Sequence, residues 1–298
     1  MDYKNITIAG SGVLGYQVAF QVATHGFKVT VYDINDDVLE KAKQKFDVLS
    51  AAYKEDLGTT DEELAKTFEN LSYTSNLEEA MKDADLMIES VPENPEIKTE
   101  FYTKLGKVSP EKTIFATNSS TMIPSQFAEA TGRPEKFLAL HFANSIWKNN
   151  TAEIMGHAGT DPKVFDDVVE FAKAIGMLAL PLTKEQPGYI INSILVPFFN
   201  SATDLLINGV ADPHTIDKTW MKATGSPNGP FAMLDVVGLT TMYNVTQMAA
   251  QKTKDPLKIK KAQYIKENFI DQNKLGVSTG EGFYKYPNPA YKDEDFLK

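Results

Sequence analysis

The stretch ALHFANSIWKNNTAEIMG, residues 139–156, places His141 and Glu153 twelve positions apart, each inside a short apolar run. A neutral imidazole accepts an alcohol proton near neutral pH. A carboxylate on its other ring nitrogen fixes the tautomer and stabilises the imidazolium that forms. Such a pair suits removal of a proton from a hydroxyl while the carbon bearing it gives up a hydride. For this to work, FLALHF and TAEIM must lie side by side as strands, with residues 143–150 turning the chain between them. The competing role for His141 is structural, a strand-end ring bonded to a main-chain carbonyl. More polar residues fall where strands should end: Glu89, Glu93, Asn118, Ser119, Ser120 and Asn144.

Other chemistries find less support. Of the 4 histidines, His25 adjoins the helix-ending Gly26, while His157 and His214 fall in predicted turns. No His, Asp and Glu cluster has metal-ligand spacing, so no metal is expected. The chain has 0 cysteines, which excludes thiolate nucleophiles and disulfides. No G-x-S-x-G elbow announces a serine hydrolase. A net charge of −10, with Arg133 the single arginine, argues against nucleic acid. The sequence offers no apolar run of the length a membrane span requires, so no membrane contact is expected. No charged leader precedes the first apolar run, so no signal peptide is expected. With the absence of cysteine, this gives a cytoplasmic expectation.

A hydride needs an acceptor, and the first 35 residues supply a candidate site. NITIAG reads as a strand, VLGYQVAFQVATHG as a helix stopping at Gly26, and FKVTVYD as a second strand ending at Asp33. Between the first strand and the helix runs Gly10-Ser11-Gly12-Val13-Leu14-Gly15. Gly10 permits the tight turn, Gly12 lets a pyrophosphate approach the backbone, and Gly15 lets helix and strand pack closely. The helix N-terminus presents N–H groups to an anion. Asp33 is placed to accept hydrogen bonds from a ribose, and the acidic residues that follow would repel a 2′-phosphate, so the cofactor is read as NAD. The Lys-rich helix over 36–56 carries Lys41, Lys43, Lys45 and Lys54, which either meet a phosphate or form a solvated face.

Strands at LSYT, DLMIESV, TIFATNSS, FLALHF, TAEIM and MLALPL alternate with helical stretches, which predicts an α/β, doubly wound, mostly parallel Rossmann-type sheet. After Pro187 the pattern becomes helical, with helices near 188–208, 213–223, 229–251 and 256–271. The reading is therefore an NAD-binding domain over 1–184 and an all-α domain over 185–298. The first helix of the latter has an apolar stripe too wide for one wet face. The second domain is expected to cover the carboxyl edge of the sheet, where ligands of such sheets bind.

The motifs resemble those of the L-3-hydroxyacyl-CoA dehydrogenases nearly end to end. They include the glycine turn with Asp33, ESVPENPEIK (89–98), FATNSSTM (115–122), ALHFANS (139–145), QPGYIINSILVPF (186–198), NGPFAMLDVVGL (228–239) and GEGFYKYP (280–287). The resemblance implies NAD-dependent interconversion of a 3-hydroxyacyl-CoA and a 3-ketoacyl-CoA. It assigns His141 as base, Glu153 as its orienting acid, Ser120 to the reacting oxygen, and Asn192 to positioning substrate and His141. It places Glu93 and Lys98 near the nicotinamide ribose and Asn144 near the carboxamide. It also implies a homodimer through the helical domain. Departures fall in one place. The family commonly has His-Phe-Phe-Asn-Pro where this chain has His-Phe-Ala-Asn-Ser, followed by Ile-Trp-Lys-Asn-Asn. The related branch resembling lambda-crystallin and gulonate dehydrogenase, which oxidises free hydroxy acids, is the alternative. A non-catalytic NAD-binding sensor is a more distant one.

Overall fold

A computed structural model describes residues 1–298. It divides into two compact units, Met1–Asn192 and Ser193–Lys298. The sequence pattern places the change at 184/185. The physical reason for the later division is that the first turn of helix α7 (Tyr189–Ile207) is bonded to the sheet unit, as described below.

The first unit is built on one sheet of eight strands in the order β3-β2-β1-β4-β5-β6-β7-β8. These are β1 (Asn5–Ala9), β2 (Lys28–Tyr32), β3 (Leu71–Thr74), β4 (Leu86–Glu89), β5 (Ile114–Thr117), β6 (Phe137–Phe142), β7 (Thr151–Met155) and β8 (Leu178–Leu182). All neighbours are parallel except β6 and β7. Helices α1 (Gly15–Thr24), α2 (Asp36–Leu57), α3 (Asp61–Glu69), α5 (Pro95–Val108) and α6 (Pro162–Ala174) and the short α4 (Leu77–Met81) flank it. Pro181 sits inside β8, an edge strand, where a missing N–H is tolerated.

Successive strand residues face opposite layers, and two cores follow from this. Ile6, Ile8, Leu86, Ile88, Leu138, Leu140, Ala152 and Ile154 pack with Phe20, Phe46 and Phe171 of α1, α2 and α6. The out-of-phase residues Ala9, Met87, Phe115 and Phe137 pack with Tyr102 and Leu105 of α5. His141 and Glu153 are out of phase with the first set. They face the second layer, where Ala139 and Met155 pack against Tyr189.

The second unit is helical: the rest of α7, then α8 (Pro213–Thr224), α9 (Pro230–Val237), α10 (Leu239–Thr253) and α11 (Pro256–Ile265). The single helix expected over 229–251 is broken, because Gly238 takes φ +94° and ends α9. His214, expected in a turn, lies in the first turn of α8. Asp217 accepts from the Phe231 and Ala232 N–H groups at the start of α9 and from Tyr284 Oη. Asp235 accepts from the Phe283 and Tyr284 N–H groups and from Tyr286 Oη. Both carboxylates are buried, and burial pushes the pKa of each above the ordinary value. At 19 residues and mean hydropathy 1.5, α7 has the length and composition of a membrane-spanning helix. The expectation that no stretch is long and apolar enough is therefore corrected.

Candidate active site

His141 and Glu153 are directly opposite each other in the antiparallel β6–β7 pair. The strand register alone sets them face to face. His141 Nδ1 lies 3.0 Å from Glu153 Oε2. The other carboxylate oxygen, Oε1, accepts the N–H of Ile190 at 2.9 Å and of Ile191 at 3.1 Å, both in the first turn of α7. Burial alone would raise the pKa of Glu153. The hydrogen bonds from His141, Ile191 and Ile190 and the nearby imidazole outweigh it and hold the carboxyl below its ordinary value. An ionised Glu153 is acceptor-only, so Nδ1 is the donor and Nε2 the acceptor on the other side of the ring. One face of the imidazole stacks on Tyr189, with centroids 4.5 Å apart and planes 20° off parallel. Tyr189 follows Gly188, and both take left-handed φ, 55° and 80°. That backbone is uncommon for a bulky residue, and here it leads straight into the turn that binds Glu153.

The fourth residue of that turn, Asn192, donates from Nδ2 to the Ser120 carbonyl at 3.4 Å. Ser120 belongs to a turn after β5 held by Glu93. A single Glu93 oxygen accepts from Ser119 Oγ (2.6 Å), Ser120 N (3.1 Å), Thr121 N (3.1 Å) and Thr121 Oγ1 (2.8 Å). Against the upward push of burial, these donors and the Lys98 charge keep the Glu93 pKa below its ordinary value. Lys98 is itself buried, its ammonium 2.5 Å from Glu89 and 3.4 Å from Glu93. Asn144 lies exposed in the loop after β6, its carbonyl accepting from Asn149 Nδ2 at 2.8 Å.

The glycine turn fits a dinucleotide. A Cβ on Gly10, at φ +96°, would meet the Ser90 carbonyl at 2.5 Å, and one on Gly15 would collide with the Gly10 carbonyl. A Cβ on Gly12 would meet nothing within 4 Å: the space beside that backbone is open. Helices α2 to α6 each begin on a side-chain cap, Asn35, Thr60, Asn76, Asn94 and Asp161. At α1 the N-cap is Leu14, with no side-chain bond, so its leading N–H groups are left for an anion. Val13 beside it is exposed. Asp33 Oδ2 accepts from Ser11 N at 2.8 Å and Ser11 Oγ at 2.6 Å, and Oδ1 from Ile34 N at 2.8 Å. The carboxylate thus braces the turn and retains acceptor capacity for a ribose hydroxyl. Of the α2 lysines, Lys43 pairs with Glu40 and Lys54 with Asp61, whereas Lys45 reaches the Ser11 carbonyl at 3.3 Å.

Sequence reading missed several residues that hold this site together. Gln17 of α1 donates to the Val13 carbonyl and accepts from the N–H of Ser145 at 2.8 Å, joining the glycine turn to the loop after His141. A glutamine in the apolar stripe of α1 was the available signal. Asn118, which the sequence does place at a strand end, accepts from the Phe142 N–H at 3.0 Å, tying β5 to β6 beside the imidazole. Asp56 anchors the loop that departs from the family, accepting from Trp147 Nε1 at 2.8 Å and pairing with Lys148 at 2.8 Å. Nothing in the sequence links Asp56 to a loop 91 residues away.

A dinucleotide cradle at one end of a parallel sheet, with an acid-oriented imidazole on the same sheet, defines an NAD-dependent oxidoreductase. Residues 5–186 match the family described as 3-hydroxyacyl-CoA dehydrogenase, NAD binding domain, and residues 188–286 match 3-hydroxyacyl-CoA dehydrogenase, C-terminal domain. The chain belongs to the 3-hydroxyacyl-CoA dehydrogenase family. It is 33% identical over 289 residues to the human mitochondrial hydroxyacyl-coenzyme A dehydrogenase, covering 95% of this chain and 91% of that one. A solved diketoreductase, described as acting on dicarbonyl compounds, is similar at 53% identity and a TM-score of 0.91, over 96% of this chain and 100% of that one. The (S)-3-hydroxybutyryl-CoA dehydrogenase of Ralstonia eutropha is similar at 26% identity and a TM-score of 0.82, over 96% and 100%.

Proposed function

We propose that the protein interconverts a 3-hydroxyacyl-CoA and the matching 3-ketoacyl-CoA, with His141 as general base and acid. The observation that carries this reading is the His141–Glu153 pair locked to the first turn of α7 on the sheet that bears the glycine cradle. Bound NAD supplies the ring that takes the hydride. His141 Nε2 takes the hydroxyl proton as the carbon becomes a carbonyl, and returns it in the reverse direction. Glu153 keeps Nδ1 protonated and balances the imidazolium. Ser120 donates to the reacting oxygen, and Asn192 steadies the Ser120 turn and positions substrate. Glycines 10, 12 and 15 with Val13 and Leu14 form the pyrophosphate seat, Asp33 faces the adenosine ribose, and Glu93 and Asn144 serve the nicotinamide end, with the buried Lys98 paired to Glu93 there. Oxidation of NADH with acetoacetyl-CoA tests the reading. Absence of turnover across the range in which histidine titrates overturns it.

A second reading keeps the chemistry and drops the CoA: a small free hydroxy acid or dicarbonyl compound. It is favoured by the 53% identity to a diketoreductase and by the loop 143–150, where the residues that depart from the family are pinned to Asp56. Competing CoA thioesters against free acids and diketones by kcat/KM separates the two. Nucleotide binding with no turnover of any of them would favour the sensor. We further propose a homodimer formed through the helical unit. Ile194, Val236, Val245 and Met248 are large apolar side chains left exposed there, in line with the wide apolar stripe of α7. A monomeric mass in light scattering would exclude it. A cytoplasmic location is the accompanying proposal, supported by the lack of cysteine and tested by cell fractionation.

A further inference from the structure

Glu89 has no part in the chemistry above, yet its buried carboxylate accepts four hydrogen bonds. It ends β4 with 0% of its side chain exposed. Oε1 accepts from Lys98 Nζ at 2.5 Å and from Val91 N at 2.7 Å, and Oε2 from Tyr102 Oη at 2.8 Å and Thr117 Oγ1 at 2.7 Å. Every partner is a donor, which is the environment of an ionised carboxylate. Lys98, 1% exposed, lies between Glu89 and Glu93, and Glu93 is 38% exposed. Together the three carry one net negative charge, and Glu93 is the member open to solvent.

The strand order fixes what that charge faces. β4 and β5 lie between β1, which leads into the glycine turn, and β6, which carries His141. Glu93 follows the carboxyl end of β4, and its partners Ser119, Ser120 and Thr121 follow that of β5. A dinucleotide with its pyrophosphate at the glycine turn and its reactive ring near His141 must cross these strand ends. The oxidised ring is cationic and the reduced ring neutral.

We propose that Glu89 is a positioning residue of the cofactor site. By neutralising Lys98 from below, it leaves Glu93 its negative charge and its hold on the Ser120 turn, and so favours binding of the oxidised over the reduced cofactor. This rests on His141 as the proton acceptor, which fixes the end at which the reactive ring lies. Without Glu89, Lys98 has only Glu93 to pair with. The charge at the strand ends falls to zero and the carboxylate is drawn from the serine turn.

The test is the ratio of dissociation constants for NAD⁺ and NADH, measured by calorimetry on the full chain. Glu89→Gln should raise the NAD⁺ constant relative to the NADH constant on the order of tenfold, the effect of one unit charge in a partly screened site. Glu93→Gln should shift the ratio in the same direction. The double variant Glu89→Gln/Lys98→Met restores one net negative charge and should return the ratio to near the parent value. It also removes the unpaired buried ammonium, so it carries the test if the single variant does not fold. A ratio unchanged in Glu89→Gln or Glu93→Gln, or no recovery in the double variant, overturns the proposal. Failure of acetoacetyl-CoA turnover with the ratio shifting as described would instead count against the proposed reaction alone.

Discussion

Replacing Glu153 with glutamine tests the site at its most constrained point. The carboxylate receives three hydrogen bonds: His141 on Oε2, and the Ile190 and Ile191 N–H groups on Oε1. An amide offers one oxygen and one NH2. Two backbone donors converge on the Oε1 position, so the amide oxygen must stay there. The NH2 then points at His141 Nδ1, which can meet it only as an acceptor. The ring proton moves to Nε2, the atom that takes the substrate proton in the proposed reaction. The tautomer is inverted with little change in shape. Loss of rate by such an inversion is about 10³–10⁴-fold, or roughly 4–5.5 kcal/mol of barrier. Glu153→Ala leaves the two N–H groups of α7 unpaired but does not dictate the tautomer. It should be the less stable variant and the more active one. Steady-state oxidation of a 3-hydroxyacyl-CoA, with the His141 tautomer read from ring nitrogen NMR shifts, gives both halves of the comparison. A Gln variant within about threefold of the parent in kcat, or one less impaired than Ala, would refute the tautomer reasoning.

The pH dependence of stability should differ between the two units. Glu153 has a lowered pKa when folded, so its contribution is present above the ordinary carboxyl value of 4.5 and disappears as pH falls through the folded value. Asp217 and Asp235 have raised folded values, so their contribution is complete below the ordinary value of 3.8 and is lost as pH rises through the folded values. Trp147 in the first unit and Trp220 in the second allow the trends to be read separately by single-tryptophan variants in denaturant. Asp217→Asn places an NH2 against backbone N–H or Tyr284 Oη donors and should cost about 1–3 kcal/mol, measured by urea unfolding. Gly12→Ala should fold normally and lose NAD affinity in calorimetry, because its Cβ enters the open space at the turn. Gly15→Ala should lose about 1–3 kcal/mol of stability through collision with the Gly10 carbonyl.

Elements with local signatures were legible in the sequence. The glycine turn and the alternation of strands and helices depend on neighbours a few residues apart. The His141–Glu153 pairing was legible only as a condition, that two strands lie side by side, and the register meets it. Contacts fixed by folding were not legible. Trp147 reaches Asp56 across 91 residues and Ser145 reaches Gln17 across 128. Lys98 resembled a ribose contact by motif, yet burial sets it between Glu89 and Glu93. Asp33, read as a ribose acceptor, also braces Ser11, because a short strand-end carboxylate reaches the adjacent turn. The break at Gly238 was obscured by apolar residues on both sides that continue a helical stripe.

The first turn of α7 explains why the division between the units falls after Asn192 rather than at the change in composition. Its residues serve three different parts of the site: Tyr189 lies against the imidazole, Ile190 and Ile191 bind the acid, and Asn192 binds the Ser120 turn. Backbone N–H groups at a helix start have no partner within the helix and must find one outside it. Here Glu153 is that partner, so a requirement of helix initiation is met by the residue that orients the His141 imidazole. Most other helices of the sheet unit use a side chain from just before their first residue for the same purpose. Taking the cap from β7 instead makes the start of α7 dependent on the strand pairing that brings His141 to Glu153. The left-handed backbone at Gly188 and Tyr189 is the local cost of that connection, and it falls directly beside the His141 imidazole.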